Sequence, residues 1–187
     1  MVERQPTLRP GDVVIALQLA IADKTGFKNL ASATGLSVGE CHNAVRRLAM
    51  ARLTSPASRR PVTELLLRFM VHGVPCAFPA VVGAPSVGVA TAYSAGVFTG
   101  KVSSEERFVW PDADGTERGL ALTPLFPRAA QLATRNRALY DLLAIVDALR
   151  VGRTRERKVA EELLRERLSA AGSGANPGAA PAAGRAT

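Results

Sequence analysis

The first 73 residues alternate apolar and polar positions with the period of an α-helix. Apolar side chains recur every three to four residues after Asp12, and Pro10 suits a first helical turn because its fixed φ is already helical. Gly35 interrupts the helical pattern. Pro61 begins the last helical stretch of this region, and Pro75 lies just beyond its end. The pattern predicts four helices, over residues 10–25, 28–34, 37–52 and 61–73.

The helical pattern is lost in the middle of the chain. Residues 74–100 are rich in Gly, Ala, Pro and Val with few charges, which predicts loops and short strands packed on the protein. An apolar run over 107–110, the turn signal Pro-Asp-Ala-Asp-Gly and a second apolar run over 116–122 then follow in order. This succession predicts a β-hairpin.

The last third returns to helical spacing. Residues 127–150 and 154–171 predict two helices separated by Gly152. A near-heptad stripe on the first of them is typical both of a helix in the chain's own core and of a dimer seam. Its members are Leu132, Leu139, Leu142, Val146 and Leu149. Residues 172–187 are rich in Gly, Ala and Pro and predict a disordered tail.

Basic residues are concentrated at the two ends of the chain, which has a net charge of +8. The net charge is +5 over residues 1–72, −2 over 73–124 and +5 over 125–187. No acidic residue lies between Cys41 and Thr63, where five arginines cluster. They are Arg46, Arg47, Arg52, Arg59 and Arg60. Such a cluster favours contact with nucleic-acid phosphates, and a solvated helix face is the alternative. The same two interpretations apply to the basic stretch 150–158.

Residues 30–48 have the spacing of a helix-turn-helix motif. Ala31 is small enough for two helices to cross closely, and Gly35 can take the positive φ that the turn requires. Leu36 fits between the helices. Ser37 and Glu40 match a capping box, so residues 37–52 are predicted to be the recognition helix.

A projection at about 100° per residue divides this helix into two faces. Cys41, Val45 and Leu48 point inward, towards a core. The outward residues are Gly39, Asn43 and Arg46, flanked by Val38, His42 and Arg47. Asn43 suits an adenine edge, Arg46 a guanine edge and Val38 a thymine methyl group. His42 is either a DNA contact or simply exposed.

Residues 10–60 resemble the winged helix-turn-helix domains of bacterial MarR-like transcriptional regulators. The resemblance lies in a Gly-Leu-Ser turn at 35–37 that leads into a helix with Arg-Arg-Leu at 46–48. It covers under a third of the chain. It implies that Val38, Gly39, His42, Asn43, Arg46 and Arg47 face DNA, and that Arg59 and Arg60 lie in the wing. Residues 54–61 leave room for only a very short wing.

These observations predict a mainly α fold with a small β component. Its predicted parts are a winged helix-turn-helix domain over 1–73, a loop and β-hairpin segment over 74–124, a helical pair over 125–171 that can also serve dimerisation, and the tail over 172–187. The predicted function is a sequence-specific regulator of transcription, a repressor that binds double-stranded DNA as a homodimer. The alternative is a winged-helix antitoxin or adaptor that binds a toxin-like or effector protein through residues 73–124.

No enzymatic or metal-binding signature is recognised, so neither catalysis nor a cofactor is expected. Cys41 and Cys76 stand apart, and Cys41 falls on the core face of a helix. Asp112, Asp114 and Glu117 belong to a turn sequence. The apolar run over 13–22 is shorter than the roughly 20 residues of a membrane span, and no signal peptide is found. These features predict a cytoplasmic protein.

Overall fold

The computed structural model describes residues 7–22 and 26–172, without the side chains of 171 and 172. The described residues are mainly helical with a small three-stranded sheet, which confirms the predicted class. The helices are α1 (Pro10–Ile21), α2 (Phe27–Thr34), α3 (Val38–Met50), α4 (Thr63–Arg68), α5 (Val74–Ala77), α6 (Leu132–Arg135), α7 (Arg137–Val151) and α8 (Thr154–Gly172). The strands are β1 (Val82–Thr91), β2 (Phe108–Pro111) and β3 (Glu117–Leu122). Apart from Gly172, the predicted tail lies outside the described residues.

The core is organised around α7. Every residue over 139–149 is buried, because this helix carries apolar side chains on all of its faces. It packs against α1, α8 and β1, and the predicted segments therefore share one hydrophobic core. The near-heptad stripe lies inside this core, so of its two interpretations the intramolecular one holds. None of the helices in the described ranges combines the length and hydrophobicity needed to cross a bilayer.

The prediction of one helix over 127–150 was wrong at its start. Asn136, with φ −150° and ψ 77°, separates α6 from α7, and its side chain accepts a hydrogen bond from the Leu139 N–H at 3.2 Å. Its amide nitrogen donates to Gln18 Oε1 at 2.8 Å and to the Ala33 carbonyl at 3.1 Å. Asn136 thereby caps α7 and ties its start to α1 and α2.

The predicted end of the fourth helix at 72–73 was also wrong, because the chain stays helical past Pro75. A π-helical turn, Phe69–Gly73, joins α4 to α5, and the Val74 N–H donates to the Phe69 carbonyl. Pro75 has no N–H, so the Val71 carbonyl lacks its usual helical donor. The Arg157 guanidinium donates to that carbonyl at 3.5 Å.

The strands of the predicted hairpin exist, but they are paired differently. β1 is antiparallel to both β2 and β3, and β2 is parallel to β3, with Phe108 opposite Leu120. Close approach of the three strands depends on Gly88, because a Cβ there would collide with the Trp110 carbonyl. Asp112 and Asp114, between β2 and β3, belong to a turn as predicted, since the Asp112 side chain accepts a hydrogen bond from the Asp114 N–H at 2.9 Å.

A buried ion pair fastens the sheet to α7. Asp147 accepts hydrogen bonds from Thr91 Oγ1 at 2.9 Å, Trp110 Nε1 at 2.6 Å and Arg150 Nη1 at 2.6 Å. Arg150 also donates to the Phe78 carbonyl at 2.9 Å. Burial raises the pKa of Asp147, while the charge of Arg150 and the hydrogen bonds from Arg150, Thr91 and Trp110 act in the opposite direction. Arg150 is thus a core residue. Of the two interpretations of the stretch 150–158, neither contact with phosphates nor a solvated helix face applies to this arginine.

Candidate nucleic-acid interface

The turn between α2 and α3 is centred on Gly35, as predicted. Gly35 adopts φ +74°, and its N–H donates to the Ala31 carbonyl at 2.8 Å, which closes α2. Thr34 Oγ1 donates to the Leu30 carbonyl at 2.7 Å and accepts from the Leu36 N–H at 3.3 Å. The positive φ of Gly35 is confirmed, and a residue with a side chain would be strained there.

The predicted capping box is present at the start of α3. Ser37 Oγ accepts from the Glu40 N–H at 3.2 Å, and Glu40 Oε2 accepts from the Ser37 N–H at 2.8 Å. The hydrogen bonds with Ser37 lower the pKa of Glu40 below its ordinary value. The helix ends at Met50 rather than at residue 52, where Arg52 takes a φ of +60°.

Removing this cap has a measurable consequence for the start of α3. In Ser37→Ala, we expect a loss of about 1 kcal/mol in unfolding free energy, and a rise in the pKa of Glu40 towards its ordinary value, seen by NMR titration. A carboxyl group with a lowered folded pKa stabilises the fold above its unfolded pKa, and this contribution is lost as pH falls through the folded pKa. The variant should therefore lose part of the wild type's acid dependence. An unchanged Glu40 titration would contradict the cap's role.

The two faces of α3 largely follow the projection. Cys41, Val45 and Leu48 are buried, as predicted, and burial raises the pKa of the Cys41 thiol. Five of the predicted DNA-facing residues are exposed, namely Val38, Gly39, His42, Asn43 and Arg46. Val38 leaves 47% of its surface accessible at the first position of α3. No atom lies within 4 Å of where a Cβ on Gly39 would sit, so the surface is open there.

Arg47 is the exception and corrects the predicted set. Its Nε and Nη2 atoms donate to the two carboxylate oxygens of Asp12 at 2.8 and 2.7 Å. The Arg47 side chain is 17% exposed and that of Asp12 2% exposed. The hydrogen bonds to Asp12 raise the pKa of Arg47 further above its ordinary value. The guanidinium therefore joins α3 to α1 instead of lying on the exposed face with the other predicted DNA-facing residues.

The hairpin at the predicted wing position is very short. Thr54 and Pro61 form a single antiparallel bridge. The Val62 N–H donates to the Leu53 carbonyl at 2.9 Å, and the Ser55 N–H donates to the Arg60 carbonyl at 2.8 Å. Arg60 is exposed on this small hairpin. The hairpin thus presents a basic tip on a minimal scaffold.

Phe27, at the start of α2, connects this hairpin to α3 and was not identified from the sequence. The Arg59 guanidinium lies 4.9 Å from the centre of the Phe27 ring, a cation–π distance. The Phe27 and His42 rings lie 5.1 Å apart. The only sequence signal was an aromatic residue next to a predicted helix start. Through Phe27, Arg59, which was also predicted to lie in the wing, is linked to the exposed residue His42 of α3.

The candidate interface carries basic and neutral polar groups. In the described ranges, no three His, Cys, Asp or Glu side chains are grouped so that they could hold a metal ion. Comparison of the chain with family models, curated proteins and solved structures finds no match.

Proposed function

We propose that the chain is a sequence-specific DNA-binding regulator of transcription that inserts α3 into the major groove. One observation carries the proposal. A capped helix that follows a glycine turn presents an amide, a guanidinium, an imidazole and a valine on its exposed face. This face lies beside a basic wing, in a stretch without acidic residues from Cys41 to Thr63. These are the groups that read base edges and hold phosphates.

Each exposed residue has a distinct role in this proposal. Asn43 makes paired hydrogen bonds with an adenine edge, and Arg46 with a guanine edge. Val38 contacts a thymine methyl group, and Gly39 lets the start of α3 approach the bases closely. Arg59 and Arg60 bind phosphates, as does His42 when it does not contact a base.

The proposal includes a homodimer that acts as a repressor in the cytoplasm. Two copies would place their α3 helices in successive major grooves, about 34 Å apart along one face of the duplex. Repression would follow from occlusion of a promoter. Sequences selected from a random duplex library would then contain two related half-sites separated by about one helical turn.

Base-reading and phosphate-binding residues are distinguished by separate variants. We expect Asn43→Ala and Arg46→Ala to weaken binding to the selected duplex by about 1–3 kcal/mol and to relax specificity at one position each. Arg59→Ala should weaken binding to selected and random duplexes alike. Fluorescence anisotropy with both duplexes measures each loss.

A matched control for these variants is Arg118→Ala, which removes an exposed arginine from β3 and should leave binding unchanged. Equal losses on selected and random duplexes for Asn43, Arg46 and Arg59 variants would contradict base reading by α3. So would loss of binding in the Arg118 variant, because binding would then follow total charge rather than this surface.

A second candidate function, binding of a partner protein, is favoured by an uncharged stretch in the middle of the chain. No charged residue lies between Arg68 and Lys101, and Val81, Val82 and Val87 are exposed on and beside β1. Such valines suit contact with a partner protein, as in an antitoxin or adaptor. Coexpression with the adjacent gene's product tests it: a complex that Val82→Asp disrupts supports this function, and absence of a complex contradicts it.

A further inference from the structure

The loop between β3 and α6 is packed against the helix-turn-helix from the C-terminal half of the chain. Leu125, Phe126, Ala129 and Ala130 are buried in the common core. At the end of α6, Asn136 donates to the Ala33 carbonyl in the last turn of α2. This loop is therefore held in a defined place beside the C-terminal end of α2.

Arg128 is exposed on this loop, between its buried residues. Its Cδ lies 3.9 Å from the point that a Cβ on Gly35 would occupy. It is also close enough to Glu40, in the first turn of α3, to help lower the pKa of that carboxyl group. The Arg128 guanidinium forms no salt bridge with any other residue that the structure describes. A cation thus stands beside the turn, outside the segment that resembles a winged helix.

Arg59 occupies the corresponding position at the other end of α2, because it lies over the ring of Phe27, the first residue of that helix. α2 has eight residues, so it is about 12 Å long. The major groove of B-form DNA is also about 12 Å wide. In helix-turn-helix complexes the first helix crosses the phosphate backbone, while the second enters the groove.

We propose that Arg128 is a DNA phosphate contact, which together with Arg59 brackets the major groove occupied by α3. The inference rests on the proposed function and adds to it a binding residue from the C-terminal half of the chain. In this arrangement the loop before α6 serves as a second, rigid wing on the side of the turn. Its ligand is the backbone of double-stranded DNA, independent of sequence.

Salt dependence of binding tests this assignment. Binding weakens as salt rises, and each phosphate contact contributes about 0.9 to the magnitude of the slope of log K against log salt concentration, which is called the salt slope below. We expect Arg128→Ala to lower the slope by about 0.9 on selected and random duplexes alike, and Arg128→Ala with Arg59→Ala to lower it by about 1.8. Arg128→Lys, which keeps the charge, should retain the wild-type slope. Arg118→Ala is the control and should also leave the slope unchanged.

An indirect role through Glu40 predicts a different result. If Arg128 only helped to hold the start of α3, its removal would leave the slope unchanged and would have no effect in a Glu40→Gln background. That outcome, or a wild-type slope in Arg128→Ala on a duplex that wild type binds selectively, would overturn the assignment and leave the proposed function intact. If wild type bound selected and random duplexes equally, sequence reading would fail, whereas a lower slope in Arg128→Ala would still support the phosphate contact.

Discussion

Asp147→Ala is expected to lower the free energy of unfolding by about 3–5 kcal/mol, because it removes one partner of a buried ion pair. The Arg150 side chain is 4% exposed, so its charge would remain in the core without a carboxylate. Trp110 Nε1 and Thr91 Oγ1 would also lose their acceptor. Each unsatisfied buried donor adds to the loss. The sheet and α7 would lose their main polar connection.

Thermal and urea unfolding measure this effect. For a chain of this size, the loss corresponds to a fall in Tm of roughly 6–20 °C. Glu64→Ala is a matched control, because it removes the acidic partner of Arg68 in an intrahelical pair whose side chains are 70% and 63% exposed. That variant should change stability by less than about 0.5 kcal/mol. Equal, small effects in the two variants would contradict the buried network.

Arg47→Met is expected to cost about 3 kcal/mol of unfolding free energy, at the lower end for a buried pair because Arg47 is partly exposed. Methionine keeps most of the apolar stem of the side chain. The Asp12 carboxylate would retain one hydrogen bond, from the Arg9 N–H at 2.9 Å. In a double-mutant cycle with Asp12→Ala, we expect a coupling energy of about 1.5–3 kcal/mol between the two residues.

DNA binding by the same variant distinguishes a tether between helices from a phosphate contact. Because Arg47 joins α3 to α1, its loss should reduce selective binding while the salt slope stays at the wild-type value. A slope lower by about 0.9, with near-additive stability changes in the cycle, would restore Arg47 to the DNA-facing residues.

Local chemistry explains why the turn and the capping box could be predicted from the sequence. Gly35, Ser37 and Glu40 act on atoms within a few residues of themselves, so spacing alone specifies their hydrogen bonds. The burial of Cys41, Val45 and Leu48 followed from helical periodicity in the same way. The exposed face of α3 was equally predictable, with the exception of Arg47.

Contacts between distant residues account for what could not be predicted. Arg47 is held by Asp12, 35 positions earlier, and no spacing rule relates them. β1 arises from a Gly- and Pro-containing stretch and takes both later strands as partners, so the Asp-Gly turn marked the strands without specifying their pairing. Asn136 ends a helix that periodicity alone continues, and its amide nitrogen donates to Gln18 and Ala33, which are more than 100 positions away in the chain.

The most direct test of sequence reading by α3 is the affinity of the purified wild-type chain for a duplex selected from a random library. The comparison is a shuffled duplex of equal composition, measured by fluorescence anisotropy at two salt concentrations. We expect the selected duplex to bind at least about a thousandfold more tightly, with most of that ratio lost in Asn43→Ala with Arg46→Ala. Equal, weak and steeply salt-dependent binding to the two duplexes would contradict the account and leave only a basic surface.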